Sequence, residues 1–167
     1  MNDPYTAVQA IDHLAVLFGA LAARPVGDYV ARGPDGTVRL IVPGRRFAEI
    51  LSITLGLIRR YGAAEPNVVQ ALLRLLAICA SLAVEDPRRW ADIETEAHLL
   101  VAAAERAVAQ PEDLDTVHVQ AQNVARVLSE RRGAAPDMKD EPTRRGPPVP
   151  HEGARRGSTT PPRTTSS

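Results

Sequence analysis

Apolar side chains recur every three or four positions through most of residues 1–132, the period of helices that bury one face. The first such stretch, residues 2–23, opens on Asn2 or Asp3 as a cap and on Pro4, whose missing N–H costs nothing in a first turn. Val8, Ile11, Leu14, Phe18 and Leu21 form its stripe, and Val16 and Leu17 widen the arc. Arg24-Pro25 stops it, because proline disfavours helical geometry in the residue before it. Residues 28–42 have a different pattern: two β-prone runs flank Gly33-Pro34-Asp35-Gly36, which predicts a hairpin. A lone hairpin is marginal in water, so it is expected to lie on the helices.

Helical periodicity then returns. Residues 45–61 predict a second helix that buries Phe47, Ile50, Leu51, Leu57, Ile58 and Tyr61, with Gly62 closing it. Residues 66–84 predict a third. Its only polar positions after Asn67 are Gln70, Arg74 and Ser81 on one narrow line, which marks a central helix. Asp86-Pro87 repeats the cap-and-proline start of a fourth helix, extending to about Gln110 with Trp90, Ile93, Ala97, Leu100, Val101 and Ala104 inward. After Pro111, a fifth helix to Arg132 turns Leu114, Val117, Ala121, Val124 and Leu128 inward. The expected fold is mainly α, about five helices in a compact bundle with one small β-hairpin at residues 28–42. Residues 133–167 hold seven of the 14 prolines and only Met138 and Val149 as larger aliphatics. Such a stretch cannot bury enough apolar area to offset ordering, so it is expected to be a disordered tail behind a domain of residues 1–132.

Composition narrows the chemistry. Hydrophobic residues are 44% and aromatics 4%, so the core rests on aliphatic side chains. The net charge of zero argues against a nucleic-acid binder. Cys79 is the only cysteine, which leaves no disulfide partner within the chain. The first residues lack the basic region of a signal peptide, and the longest apolar run, Leu75–Val84, is about half of the ~20 residues of a membrane span. The chain as given is therefore expected to be cytoplasmic.

Asn2-Asp3-Pro4-Tyr5-Thr6-Ala7, followed by Ala10-Ile11-Asp12, resembles the start of the soluble region of a family of predicted bacterial membrane proteins, domain of unknown function 2254. Asp35-Gly36, the helix beginning at Phe47 and the helix near Pro66 after Tyr61-Gly62 follow in the family's order. The resemblance spans roughly residues 1–130 and implies the soluble C-terminal region of a protein whose membrane helices precede this motif. Met1 stands where the family has Ile, which leads to the expectation of a truncated or mis-started gene, or of a free-standing relative. The resemblance implies location and architecture and carries no reaction.

Candidate sites are sparse. Asn2, Thr6, Gln9 and His13 share one face of the first helix, with Asp3 beside them, either as a recognition strip or as a cap and solvent face. Asp115 and His118, and Glu94 and His98, have helical spacing, but Glu-x-x-His is absent and no metal is expected. Cys79, between Ile78 and Ala80, reads as core packing. Arg45-Arg46 and Arg88-Arg89 start helices, where they form either an anion site or local pairs of Arg45 with Glu49 and of Arg88 or Arg89 with Asp92. No nucleotide-binding or hydrolase motif occurs, and no cofactor is expected.

The reading that follows is a non-enzymatic soluble domain acting through protein contacts near a membrane. The alternative is a cytoplasmic anion or small-ligand module using Arg45 and Arg46. A membrane-embedded partner or self-association, as a homodimer, is expected through the widened arc of the first helix; the competing expectation has the hairpin cover that arc. A chain ending at Gly133 is expected to melt at the temperature of the full chain. A clear drop in melting temperature would show that the tail contributes to the fold.

Overall fold

The computed structural model describes residues 3–134. The expectation for residues 133–167 falls almost wholly outside them, as does Asn2 of the motif. The elements are α1 (Pro4–Ala22), β1 (Tyr29–Arg32), β2 (Val38–Val42), α2 (Phe47–Gly62), α3 (Pro66–Leu82), α4 (Pro87–Ala107) and α5 (Pro111–Ala134). The five helices and the hairpin are those that the sequence pattern predicts.

α3 lies at the centre. Val68, Val69, Leu72, Leu73, Leu75, Leu76 and Cys79 are all sealed from solvent, and the other four helices pack around it. α1 approaches it through small residues, Ala15, Gly19 and Ala22. A Cβ on Gly19 would stand 3.0 Å from Leu82 Cδ1 and 3.2 Å from Ile78 Cγ2, so the helices meet closely there. α4 and α5 close the far side with Trp90, Ile93, Leu100, Val117, Val124 and Leu128. α1 is also, by length and composition, long and apolar enough to cross a bilayer. The nearest approach to a membrane span is thus α1 and not the run Leu75–Val84.

Two expectations about burial are corrected. In α2 the inward residues are Phe47, Leu51 and Leu55, while Leu57 and Tyr61 are 63% and 76% exposed. They continue an outward stripe from Ile53 at spacings of four, so α2 carries two apolar faces and only one finds a partner. The hairpin, too, does not lie on the helices. β1 and β2 pair with each other in antiparallel register, Tyr29 with Val42, Val30 with Ile41 and Ala31 with Leu40, and all five residues of β2 are exposed. Its base is clasped instead. The Gly44 N–H donates to Asp28 Oδ1 at 3.0 Å, and a Cβ at Gly44 would overlap the Gly27 carbonyl.

The end of α1 is held by a cation. Arg89, 5% exposed in the first turn of α4, donates from Nη1 to the carbonyls of Ala22 at 2.8 Å and Arg24 at 2.6 Å, with Leu21 at 3.4 Å. Its guanidinium lies 4.9 Å from the ring centroid of Phe47 at the start of α2. One side chain thus satisfies carbonyls that a helix end leaves unpaired, places a cation at the negative end of the α1 dipole, and ties three helices together. Arg131 of α5 does the same for Ala83 beyond α3, at 2.9 Å. Arg59 of α2 pairs with the buried Glu96 of α4 at 3.1 Å. Arg89→Met should cost about 2–4 kcal/mol, because hydrogen bonds from a charged donor are worth about 1.5–3 each and buried carbonyls are left bare. Arg89→Lys should recover part of that loss. Thermal unfolding of the pair measures it, and a loss under about 1 kcal/mol for the Met variant would contradict the role given to this side chain.

Candidate functional site

The first residues of α1 are occupied with starting the helix. Asp3 is the N-cap: Oδ1 accepts the Tyr5 N–H at 3.0 Å and Oδ2 accepts the Thr6 hydroxyl at 2.8 Å. Those two bonds, the Thr6 hydroxyl foremost, hold the Asp3 carboxyl below the usual range. His13 turns its Nδ1 onto the Gln9 carbonyl at 2.7 Å. Thr6, Gln9 and His13 do lie on one exposed face, as their spacing implies, yet Thr6 and His13 bond within their own helix. Beside them a pocket of about 460 Å³ between α1 and α3 is lined by Asp3, Tyr5, Val8, Asn67 and Arg74.

The arginines at helix starts meet in a larger cleft of about 890 Å³ between the hairpin base, the start of α2 and the start of α4. Arg46, Arg88 and Arg89 line it, and Arg45 does not. So do Asp28, Glu49, Asp86 and Asp92. Arg46, rather than Arg45, pairs with Glu49, at 3.2 Å. Asp86 caps α4 by accepting the Arg88 N–H at 3.0 Å. Arg89 turns inward to the α1 carbonyls instead of outward to Asp92. Burial, and then the charge of Asp86, push the Asp92 carboxyl above its ordinary range, while Arg46 and Arg89 pull it back. Three guanidiniums among four carboxylates leave the cleft without the excess of positive charge that would hold a free anion.

The other candidates are separated or engaged. Glu94 accepts from Arg132 at 2.8 Å, a bond that holds its carboxyl below the usual range, and His118 pairs with Glu105 at 3.1 Å. Among the described residues, no three His, Cys, Asp or Glu side chains stand close enough to share a metal. Cys79 is fully buried, and burial pushes its thiol up to about 12.

The most extensive unengaged surface is apolar. Val16 and Leu17 on α1 are 73% and 61% exposed. Val16 lies one turn before Gly19, over which Ile78 and Leu82 of α3 rest, and both of these are also exposed. Val16, Ala20, Ile78 and Leu82 therefore form one face across two helices, with Leu17 at its edge. The widened arc of the first helix signals the α1 half of it. The α3 half is not legible in a helix whose pattern reads as buried all round.

Residues 1–78 match the model of a family described as predicted membrane protein (DUF2254). Uncharacterised proteins of Mycobacterium tuberculosis and Mycobacterium bovis are each 41% identical over 113 residues, 68% of this chain and 22% of theirs. The chain thus corresponds to about a fifth of the length of these curated relatives. No solved structure matches. At pH 8 a thiol with a pKa of about 12 is thiolate in about one part in ten thousand. A thiol reagent should therefore leave the native chain unmodified and label it stoichiometrically in denaturant. Rapid labelling of the native chain would show that α3 opens readily.

Proposed function

With residues 1–78 placed in the DUF2254 family of predicted membrane proteins, we propose that this chain is a non-enzymatic contact module that works on the cytoplasmic side of a membrane. Its partner is the membrane-embedded part of a protein of this family. The observation that carries the proposal is the face of Val16, Ala20, Ile78 and Leu82. Large aliphatic side chains gathered across two helices and left in water mark a surface for a partner more often than a catalytic centre. The polar clusters support the same reading, because the Asp3, Asp86, Glu49, Glu94 and Glu96 carboxylates are committed to caps and ion pairs. No free acid, base and nucleophile converge among the described residues.

The test uses the longer Mycobacterium tuberculosis relative with its matching 113 residues removed. Coexpressed with that remainder, this chain should collect in the membrane fraction. The double variant Val16→Asp, Leu17→Asp should keep the helical circular dichroism and melting of the parent. Its membrane-bound share should fall about tenfold, since desolvating two carboxylates costs at least the roughly 1.4 kcal/mol that a factor of ten requires. A parent chain that stays out of the membrane fraction in the presence of the remainder would overturn the proposal.

A further inference from the structure

The hairpin is the second apolar surface, and its sequence is suited to pairing with itself. We propose that β2 pairs antiparallel with the β2 strand of a second copy of this chain, about a two-fold axis through Leu40, to form a four-stranded sheet. The two strands pair only with each other, so β2 presents a free edge. Tyr29, Val38, Leu40 and Val42 stand exposed on one face, and Val30 and Ile41 on the other. Water-facing strands ordinarily alternate apolar with polar, whereas strands inside a larger sheet read as continuous apolar runs. A two-stranded ribbon is marginal by itself, and a third and fourth strand are the ordinary remedy. The β1 side is the poorer edge, because its register breaks at a bulge between Ala31 and Arg32.

Symmetry selects the register. A two-fold perpendicular to the sheet keeps each side chain on its own face, and directly opposed residues must share a face. The axis therefore passes through a residue of β2, not between two. Centred on Arg39, it would set two guanidiniums directly opposite each other, which is repulsive. Centred on Ile41, it would bring Pro43, which has no N–H to donate, opposite Arg39. Centred on Leu40, it sets Leu40 against the partner's Leu40 and Val38 against the partner's Val42. Arg39 then lies beside the partner's Ile41, its guanidinium reaching Asp35 of its own turn at 3.4 Å. That register opposes no like charges, and it is isologous, so it closes as a dimer. This surface is distinct from the α1 and α3 face of the proposed function.

Cysteine cross-linking in the full chain tests the register, because the single native thiol, Cys79, is buried and raised to about 12. Directly opposed residues have Cα atoms about 4.5–5.5 Å apart, within reach of a disulfide. Leu40→Cys should form at least about ten times more disulfide-linked dimer under mild oxidation than Arg39→Cys, whose copies lie beyond the roughly 7 Å limit. A mixture of Arg39→Cys and Ile41→Cys chains should cross-link. In sedimentation, Leu40→Lys should convert dimer to monomer with helicity unchanged, and Val16→Asp, Leu17→Asp should leave the dimer intact. Equal cross-linking at positions 39 and 40 would overturn the proposal. So would a parent chain that is monomeric throughout the accessible concentration range, including one that sediments with anionic vesicles through its hairpin. A dimer lost in the Val16, Leu17 variant but kept in Leu40→Lys would place self-association on the helical face and refute the strand pairing.

Discussion

α3 is apolar around nearly its whole circumference, and no helix of that kind can be left in water. Every other helix is arranged to cover it. The bundle follows from that constraint: α1, α4 and α5 each lend one apolar stripe to α3, and α2 reaches it less fully through Leu51 and Leu55. With aromatics at only 4%, close packing relies on matching large aliphatics with small residues. Gly19, Ala15 and Ala22 let α1 settle within contact distance of Ile78 and Leu82.

Burying helix ends in such a bundle leaves carbonyls that need donors, and arginines from distant parts of the chain supply them. The Ala22 carbonyl accepts from both Arg89 and the Val84 N–H, so the end of α1 is pinned to the α3–α4 connection. The Ala83 carbonyl in that connection accepts from Arg131 of α5. These bonds set the C-terminal halves of α1 and α3 side by side. The apolar face offered to a partner is a direct consequence, because it is built from the outward residues of just those two half-helices.

The hairpin obeys a different economy. Turn chemistry and the Asp28–Gly44 clasp are enough to form it, and the bundle spends no surface on it. Its exposed aliphatics and the outward stripe of α2, Ile53, Leu57 and Tyr61, are surplus to the core of one copy. A relative more than four times longer, or a second chain, has room for them.

Local chemistry by itself determined the elements and their order. The Asp-Pro starts, the breaks at Pro25 and Pro111, the Gly-Pro-Asp-Gly turn, the inward stripes of α1, α4 and α5 and the central place of α3 are all legible as period and punctuation. So is the Asn-Asp-Pro-aromatic-Thr-Ala motif that led to the family. Only the tertiary structure decided which apolar faces are covered. Leu57 and Tyr61 fit the helical period of α2 as well as Leu55 does, and periodicity cannot tell a face with a partner from one without. It also decided the use of the arginines. Arg89 resembles its neighbour Arg88 in sequence, but one caps another helix 65–68 residues away while the other stays in solvent. That difference depends on where the end of α1 comes to rest, and long-range placement is set by packing rather than by neighbours along the chain.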